Sequence, residues 1–369
     1  MKTVIISANT SRYLLNYRRN TILKFIENGF HVICISSKDD CTDALKDIGC
    51  QWLNLKINSK GNNPFTDMRV FFRLFYIYLK YQPKASFHFN IKYNIYGTWA
   101  AFFSNTPAIN NVSGLGTAFI HKNFISSIVK ILYKLSQPLA YRVYCQNEED
   151  FNLLIREKLV PRHKLFLLPG SGVDIKRFKP SLQLEKEDIF TFLYAGRMLA
   201  DKGLYELIDV MIKINKDKII ANLWICAITN NDNLSAIPQE DIEKWKSIPG
   251  IVWLEPNNNN IEHVMKHVSC IVLPSYREGL SKTLLEGGAM GLPCIATDVP
   301  GCKDVIQDNK SGFLCKARDS KSLELAMLKV IDLSQKDLLD MGGRARKIIE
   351  EKFDEKIVID AALEALNSV

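Results

Sequence analysis

Two short runs in the second half of the chain carry fixed cations, carboxylates and glycines at spacings that suit a phosphate ester. The first is Gly196-Arg197-Met198-Leu199-Ala200-Asp201-Lys202-Gly203. An apolar strand-like segment ends at Gly196, and Arg197 and Lys202 then project from a loop ahead of a helix beginning near Leu204. Two cations held at a strand end suit a diphosphate. The second is Pro274-Ser275-Tyr276-Arg277-Glu278-Gly279-Leu280-Ser281, followed by Lys282-Thr283-Leu284-Leu285-Glu286. Here Ser281 reads as a helix N-cap, so the amides around Gly279, Leu280 and Ser281, together with the helix dipole, form an anion site. Glu278 lies before the helix and Glu286 about a turn and a half into it, so both carboxylates can address one ligand from different heights. A third run, Asp298-Val299-Pro300-Gly301-Cys302, closes the next turn.

Such turns need strands to hold them. The 369-residue chain alternates short apolar runs with longer amphipathic stretches, the pattern of βα repeats and parallel sheets. Strands are expected near 3–7, 31–36, 85–89, 108–112, 142–145 and 164–168, and again near 190–195, 222–227, 251–254, 270–273, 293–297 and 312–315. This predicts an α/β protein of two Rossmann-like domains, residues 1–180 and 189–354, with a linker near 181–188. The last helix, within 355–369, is placed provisionally with the first domain. Ligands of open α/β sheets bind outside the carboxyl ends of the strands, which makes a cleft between two such sheets the expected site.

Composition narrows the partners. With 47% hydrophobic and 24% charged residues the chain has ordinary globular usage. No apolar run reaches the length of a membrane span, and the N-terminus has no secretory pattern, so a cytoplasmic location is expected. Nine scattered cysteines without metal-ligand spacing read as reduced thiols. Residues 1–180 carry 25 basic and 11 acidic residues, whereas the remainder has a net charge of −6. No acid occurs between Asp67 and Glu148, a stretch holding Arg69, Arg73, Lys80, Lys84, Lys92, Lys122, Lys130, Lys134 and Arg142. Nucleic acid is disfavoured, because the basic residues are interleaved with helix-patterned aromatics and no recognisable module is present. An anionic membrane surface fits better: over 68–81, Arg69, Arg73 and Lys80 fall near one helix face and Val70, Leu74 and Ile77 near another. A core-packed helix with a basic edge is the competing reading.

Gly-Arg-x-x-x-x-Lys-Gly, Pro-Ser-x-x-Glu-Gly-Leu-Ser-x-x-x-Leu-Glu and Leu168-Pro-Gly-Ser-Gly-Val-Asp-x-x-x-Phe-x-Pro180, in that company and at those distances, resemble glycosyltransferase family 4. The resemblance implies a GT-B fold, a nucleotide-sugar donor held by the second domain, and transfer with retention of configuration and no bound metal or other cofactor. No Asp-x-Asp motif is present, so Arg197, Lys202 and the helix N-terminus would carry the charge of the departing diphosphate. By the same resemblance Glu278 contacts hydroxyls of the donor sugar and Glu286 those of the ribose, neither acting as nucleophile. UDP is the implied carrier, although Glu255-Pro256 stands where relatives often have a glycine near the base pocket.

The first half resembles bacterial transferases that extend undecaprenyl-diphosphate-linked sugars. The matching residues are Ser7-Ala-Asn9-Thr-Ser11 with Tyr17-Arg18, His88-Phe-Asn-Ile-Lys92-Tyr-Asn-Ile-Tyr-Gly97, and Asn111-Val-Ser-Gly114-Leu-Gly116 with Phe119-Ile120. Asn9, Gly114 and Gly116 are thereby expected at the substrate, with Arg18 and Lys92 on the acceptor phosphates and the protein on the inner face of the cytoplasmic membrane. Many members of the family carry a histidine in the loop after the fifth strand. This chain has Val112-Ser113-Gly114 there, leaving His88 or His121 to supply an imidazole. Competing functions are a nucleotide-sugar epimerase of similar fold, a non-catalytic nucleotide-sugar-binding protein, and a retaining glycosidase. The last fits poorly because both carboxylates belong to one loop-helix turn.

Overall fold

The computed structural model describes residues 2–57, 64–114, 124–180, 189–229, 235–255 and 260–369. The expected linker 181–188, the site glycine Gly116, His121 and most of the expected base pocket lie outside the described residues. The chain divides into two compact units, residues 1–171 with 356–369, and residues 172–355.

The first unit is built on a seven-stranded parallel sheet: β1 (Thr3–Thr10), β2 (His31–Ser37), β3 (Gln51–Asn54), β4 (Ala85–Phe89), β5 (Ala108–Val112), β6 (Arg142–Cys145) and β7 (Leu165–Leu167), in the order β3-β2-β1-β4-β5-β6-β7. β4 and β5 are buried at every residue and β1 through its middle five, as a sheet covered on both faces requires. β3 escaped the sequence reading because it is a four-residue edge strand with polar ends and only partial burial. One face packs against the helices Ser11–Glu27 and Glu355–Asn367, the second through Val358, Ala362, Ala365 and Leu366. The Tyr144 hydroxyl donates to the Ala361 carbonyl at 3.1 Å, and Arg142 pairs with Glu364 at 3.0 Å, fixing the last helix on this sheet.

The opposite face is covered by the helix Pro64–Tyr81, with Val70, Leu74 and Tyr78 buried against Ile5, Ile33 and Ile35. This corrects the expected interfacial face: Val70 and Leu74 face the core. The helix is apolar on more than one side, and the sheet takes only one of them. Met68, Phe72, Tyr76 and Leu79 are left outward, Tyr76 with 66% of its surface exposed.

The second unit has a six-stranded parallel sheet, β8 (Phe190–Arg197), β9 (Ala221–Ile228), β10 (Ile251–Leu254), β11 (Cys270–Leu273), β12 (Cys294–Thr297) and β13 (Gly312–Cys315), ordered β10-β9-β8-β11-β12-β13. The first unit's main segment ends at 171, nine residues before the expected end of the first domain. Residues 173–180 belong to the second unit because they are bonded into it. Val173 exchanges backbone hydrogen bonds with Phe353 and Glu355, Phe178 enters the second core, and the Arg346 guanidinium donates to the carbonyls of Ile175, Phe178 and Ala289. Gly172 makes the join possible: at φ +65° it lies so close to Glu355 that an added Cβ would come within 2.3 Å of that residue's Cα.

Replacing the fully buried Leu366 by Ala should cost the first unit about 2–5 kcal/mol through the cavity it leaves. Urea unfolding monitored by a probe confined to residues 1–171 measures that loss.

Candidate functional site

In the second unit the expected residues gather at the carboxyl ends of β8 and β11. Arg197 is the last residue of β8 and its side chain is exposed. Lys202, in a short 3-10 turn, is buried, and its Nζ lies 2.6 Å from Glu278 Oε1. The Ser275 hydroxyl donates to the same oxygen at 2.8 Å. Cation and carboxylate, read separately from the sequence, are thus one pair, and Ser275, an unassigned member of the same motif, is its third partner. The pair is largely withdrawn from water, where charge-assisted bonds are strongest and an orphaned partner most costly.

Two glycines let the loops approach this closely. Gly203 has φ +72°, and a Cβ there would stand 2.1 Å from the Pro274 carbonyl oxygen, so the turn carrying Lys202 rests directly on the end of β11. Gly301 has φ +77° and presses on the carbonyls of Glu278 and Gly279, where a Cβ would come to 2.6 and 2.7 Å. No other residue fits either place without moving backbone. The Glu278 and Ser281 amides donate to the Pro300 and Gly301 carbonyls at 3.3 and 3.1 Å. The Ser281 amide, expected on an anion, is therefore already bonded. Its side chain caps the helix Lys282–Ala289 by accepting from the Leu284 amide, and the Thr283 hydroxyl ties that helix to the Ala195 carbonyl at 2.9 Å.

Glu286 is 8% exposed, 3.6 Å from Lys282 Nζ one turn earlier. Burial pushes its carboxyl above the usual carboxylate range, against the pull of Lys282 and Arg177. Arg177 itself grips Glu262 with two bonds, Nε to Oε1 at 3.2 Å and Nη2 to Oε2 at 2.8 Å. This clamp was not read from the sequence, since Arg177 occupies a variable position of its motif. The second unit therefore presents an exposed arginine, a lysine–carboxylate pair and a buried carboxylate at one end of its sheet.

In the first unit, β1, β4 and β5 end around a cavity of about 200 Å³ lined by Asn9, Asn90, Lys92, Asn94, Ser113 and Gly114 among others. Gly114 has φ +116°, a conformation that glycine alone adopts readily. Lys92 Nζ lies 2.6 Å from Asp67 Oδ1, and the Tyr96 hydroxyl donates to Asp67 Oδ2 at 3.0 Å. Asp67, the acid that opens the long acid-free stretch, thus balances the lysine expected on a phosphate.

His88 lies away from this cavity. It is fully buried, with Nε2 2.8 Å from the Tyr78 hydroxyl and Nδ1 2.8 Å from Asn110 Oδ1. Its ring also occupies the space over Gly97, where a Cβ would come within 2.8 Å of Nε2. Both nitrogens are committed, so the expected active-site role is replaced by one in the core. Arg18 is likewise buried, 2% exposed, with its guanidinium 4.2 Å from the Phe89 ring centre. The cavity beside it has about 10 Å³, at the lower limit for one water and too little for a diphosphate.

Residues 174–348 match the family described as glycosyl transferases group 1. Over 96% of its length the chain is 24% identical to the N,N'-diacetylbacillosaminyl-diphospho-undecaprenol alpha-1,3-N-acetylgalactosaminyltransferase of Campylobacter jejuni, covering 96% of that protein. Over 78% it is 24% identical to the UDP-Gal:alpha-D-GlcNAc-diphosphoundecaprenol alpha-1,3-galactosyltransferase of Escherichia coli, covering 76% of it. The structure of Anabaena HepE in complex with UDP and glucose matches over the full length of both chains, with a TM-score of 0.81 at 13% identity. Two units, each built on a parallel α/β sheet, give the chain the GT-B fold, and the curated relatives it resembles are glycosyltransferases. The region that matches the group 1 glycosyl transferases fills nearly all of the second unit.

Two outcomes test the geometry. Lys202→Met and Glu278→Gln should each cost about 3 kcal/mol in urea unfolding, and the double variant clearly less than their sum, because each single change orphans a buried partner. His88 gives a pH signature: burial lowers its pKa to about 4, while in the unfolded chain it titrates near 6.5. Stability that is complete above pH 6.5 should therefore fall as the pH drops toward 4, by on the order of 3 kcal/mol from this group, and His88→Gln should lack that component.

Proposed function

We propose that the protein transfers a hexose or N-acetylhexosamine from a UDP-sugar to a sugar carried on undecaprenyl diphosphate, in the assembly of a bacterial surface polysaccharide or glycan. The observation that carries the proposal is the Lys202–Glu278 pair with Arg197 beside it at the strand ends of the second unit. The diphosphoundecaprenol acceptors in the names of both relatives, and the UDP bound by HepE, support the choice of substrates.

In this reading Arg197 and Lys202 hold the diphosphate, Glu278 accepts hydrogen bonds from donor-sugar hydroxyls, and Glu286 accepts them from the ribose. The bond from the anomeric carbon to the diphosphate breaks, and a bond to the acceptor hydroxyl forms on the same face of the ring. The hydroxyl proton leaves with the nucleoside diphosphate. Cations and dipoles already in place stabilise the charge on the leaving group without reorganising, which is where most of the rate enhancement would arise. The chain's own cations do this work, so the reaction is expected to run without an added divalent metal.

The acceptor's lipid calls for a membrane surface, and the first unit offers one. Phe72 and Tyr76 on the helix Pro64–Tyr81 stand outward beside Arg69, Arg73 and Lys80, and ring contacts from Phe71 to Phe72 and Phe103 continue the apolar surface to Phe102. Apolar side chains that enter the acyl boundary, flanked by cations that meet anionic headgroups, are the makings of peripheral attachment. Among the described residues no helix is long and apolar enough to cross a membrane.

Arg197→Ala, Lys202→Ala and Glu286→Ala should each lower transfer at least a hundredfold, measured as UDP release with a short-chain lipid-diphosphate sugar. A selective thermal shift with one UDP-sugar, absent in Glu286→Ala, would identify the donor. Phe72→Ser combined with Phe103→Ser should weaken binding to phosphatidylglycerol vesicles about tenfold while leaving the unfolding midpoint within a few degrees; unchanged vesicle binding would remove this face from the proposal.

A further inference from the structure

Glu278 is held through one of its two oxygens. Two donors meet on Oε1, the Lys202 ammonium at 2.6 Å and the Ser275 hydroxyl at 2.8 Å. Oε2 has no hydrogen-bond partner among the described residues, yet it is not sealed in: the side chain keeps 18% of its surface exposed and Oε2 stays open to water. The backbone of Glu278 is fixed on both sides, its amide donating to the Pro300 carbonyl and its own carbonyl lying against Gly301. What remains free is rotation of the carboxylate about its side-chain bonds, and the two donors on Oε1 take up that freedom.

The two donors are not equivalent. Lys202 carries three N–H groups, and in the reaction proposed above it also serves the diphosphate, so a bound donor substrate competes with Glu278 for it. Ser275 has a single proton and is fully buried, out of reach of that competition. Its hydroxyl has no second partner among the described residues. The main chain of Ser275 is held independently of the hydroxyl, its carbonyl accepting from the Thr297 hydroxyl at the end of β12. The close approaches that stack these turns, at Gly203 and Gly301, are likewise made by backbone. The Ser275 hydroxyl is therefore spent on one oxygen of Glu278 and not on closing the loop.

We infer that Ser275 is a positioning residue for the transfer: it keeps Glu278 Oε1 occupied while Lys202 turns to the diphosphate, and so presents Oε2 to a hydroxyl of the donor sugar. The inference rests on the glycosyltransferase reading above. It adds a residue to which that reading gives no task, and the single oxygen that meets the sugar. Without the Ser275 hydroxyl either carboxylate oxygen can follow Lys202, and the sugar meets an acceptor whose place is not fixed. The nucleoside diphosphate keeps its contacts with Arg197, Lys202 and Glu286, so its binding is left as it was.

Ser275→Ala in the full chain tests it by separating two ligands. Calorimetry with UDP should give an affinity within about twofold of the parent's. Transfer to a short-chain lipid-diphosphate sugar, from whichever of UDP-glucose, UDP-galactose and their N-acetylamino forms the parent uses, should fall about tenfold to a hundredfold in kcat/KM for the donor, the range of one hydrogen bond to a charged group. Ser275→Cys, of similar shape but a weak donor, should lie between the two, and it carries the same comparison if the alanine variant does not fold. Parent-like transfer in Ser275→Ala, or a UDP affinity that falls as far as transfer does, would overturn the inference, the second outcome being what a purely structural serine gives. Failure of the donor reading shows separately in the parent, as transfer from none of the four donors or a UDP shift that survives in Glu286→Ala, and the inference falls with it.

Discussion

Everything at the charged end of the second unit depends on two places where backbone touches backbone. At Gly203 the turn after β8 rests on the Pro274 carbonyl, and at Gly301 the turn after β12 rests on the carbonyls of Glu278 and Gly279. Parallel strands deliver their following loops to one side of the sheet, but delivery alone leaves side chains several ångströms apart. Only with the Cβ atoms absent can three successive turns stack so tightly that a lysine on one and a glutamate on another meet at 2.6 Å. The ion pair is then a consequence of the packing, and its shielding follows from the same contact. A charge held this way is already oriented before any ligand arrives, which is the condition for electrostatic stabilisation of a leaving group without a reorganisation cost.

The same economy explains the run from His88 to Gly97. Its polar residues come at every second position, His88, Asn90, Lys92 and Asn94, a spacing that invites one interpretation for all of them. The strand ends at Phe89, however, and the backbone passes through a left-handed residue into a π-helical turn, so the four point to different tasks. His88 braces the core between Tyr78 and Asn110, Asn90 ties the ends of β1 and β4, Lys92 neutralises Asp67, and Asn94 bonds Asn111 and Tyr133 below the cavity. Gly97 completes the run by leaving room for the His88 ring.

This is also where the sequence stopped being readable. Strand positions were legible because a sheet covered on both faces demands largely apolar runs bounded by turns, and twelve of the thirteen strands among the described residues lie near their expected places. β3 does not, being an edge strand half open to solvent. The N-cap at Ser281 and the partners Lys202 and Glu278 were legible as residue types at fixed offsets from strand ends. That Lys202 and Glu278 would be each other's partners was not, because no periodicity relates positions 76 residues apart. Histidine and arginine were misjudged for a related reason. Residue type carries the capacity for catalysis or anion binding, but exposure decides whether the capacity is used, and His88 and Arg18 are inside.

The acid-free stretch from Arg69 to Arg142 illustrates how a charge pattern can be correct in sum and misleading in detail. Its excess of cations is real, yet Lys92 is cancelled by Asp67, Lys130 by Glu157 and Arg142 by Glu364, acids from outside the stretch. Arg69, Arg73 and Lys80 face solvent on the outward side of the Pro64–Tyr81 helix, next to Phe72 and Tyr76, and Lys134 faces solvent on the helix Phe124–Ser136. Folding thus sorts a diffuse basic segment into cations paired with acids from elsewhere and cations turned to solvent, three of them on one helix face. An apolar stripe and its flanking charges then share one helix surface, which neither the net charge nor the helical periodicity alone would have singled out.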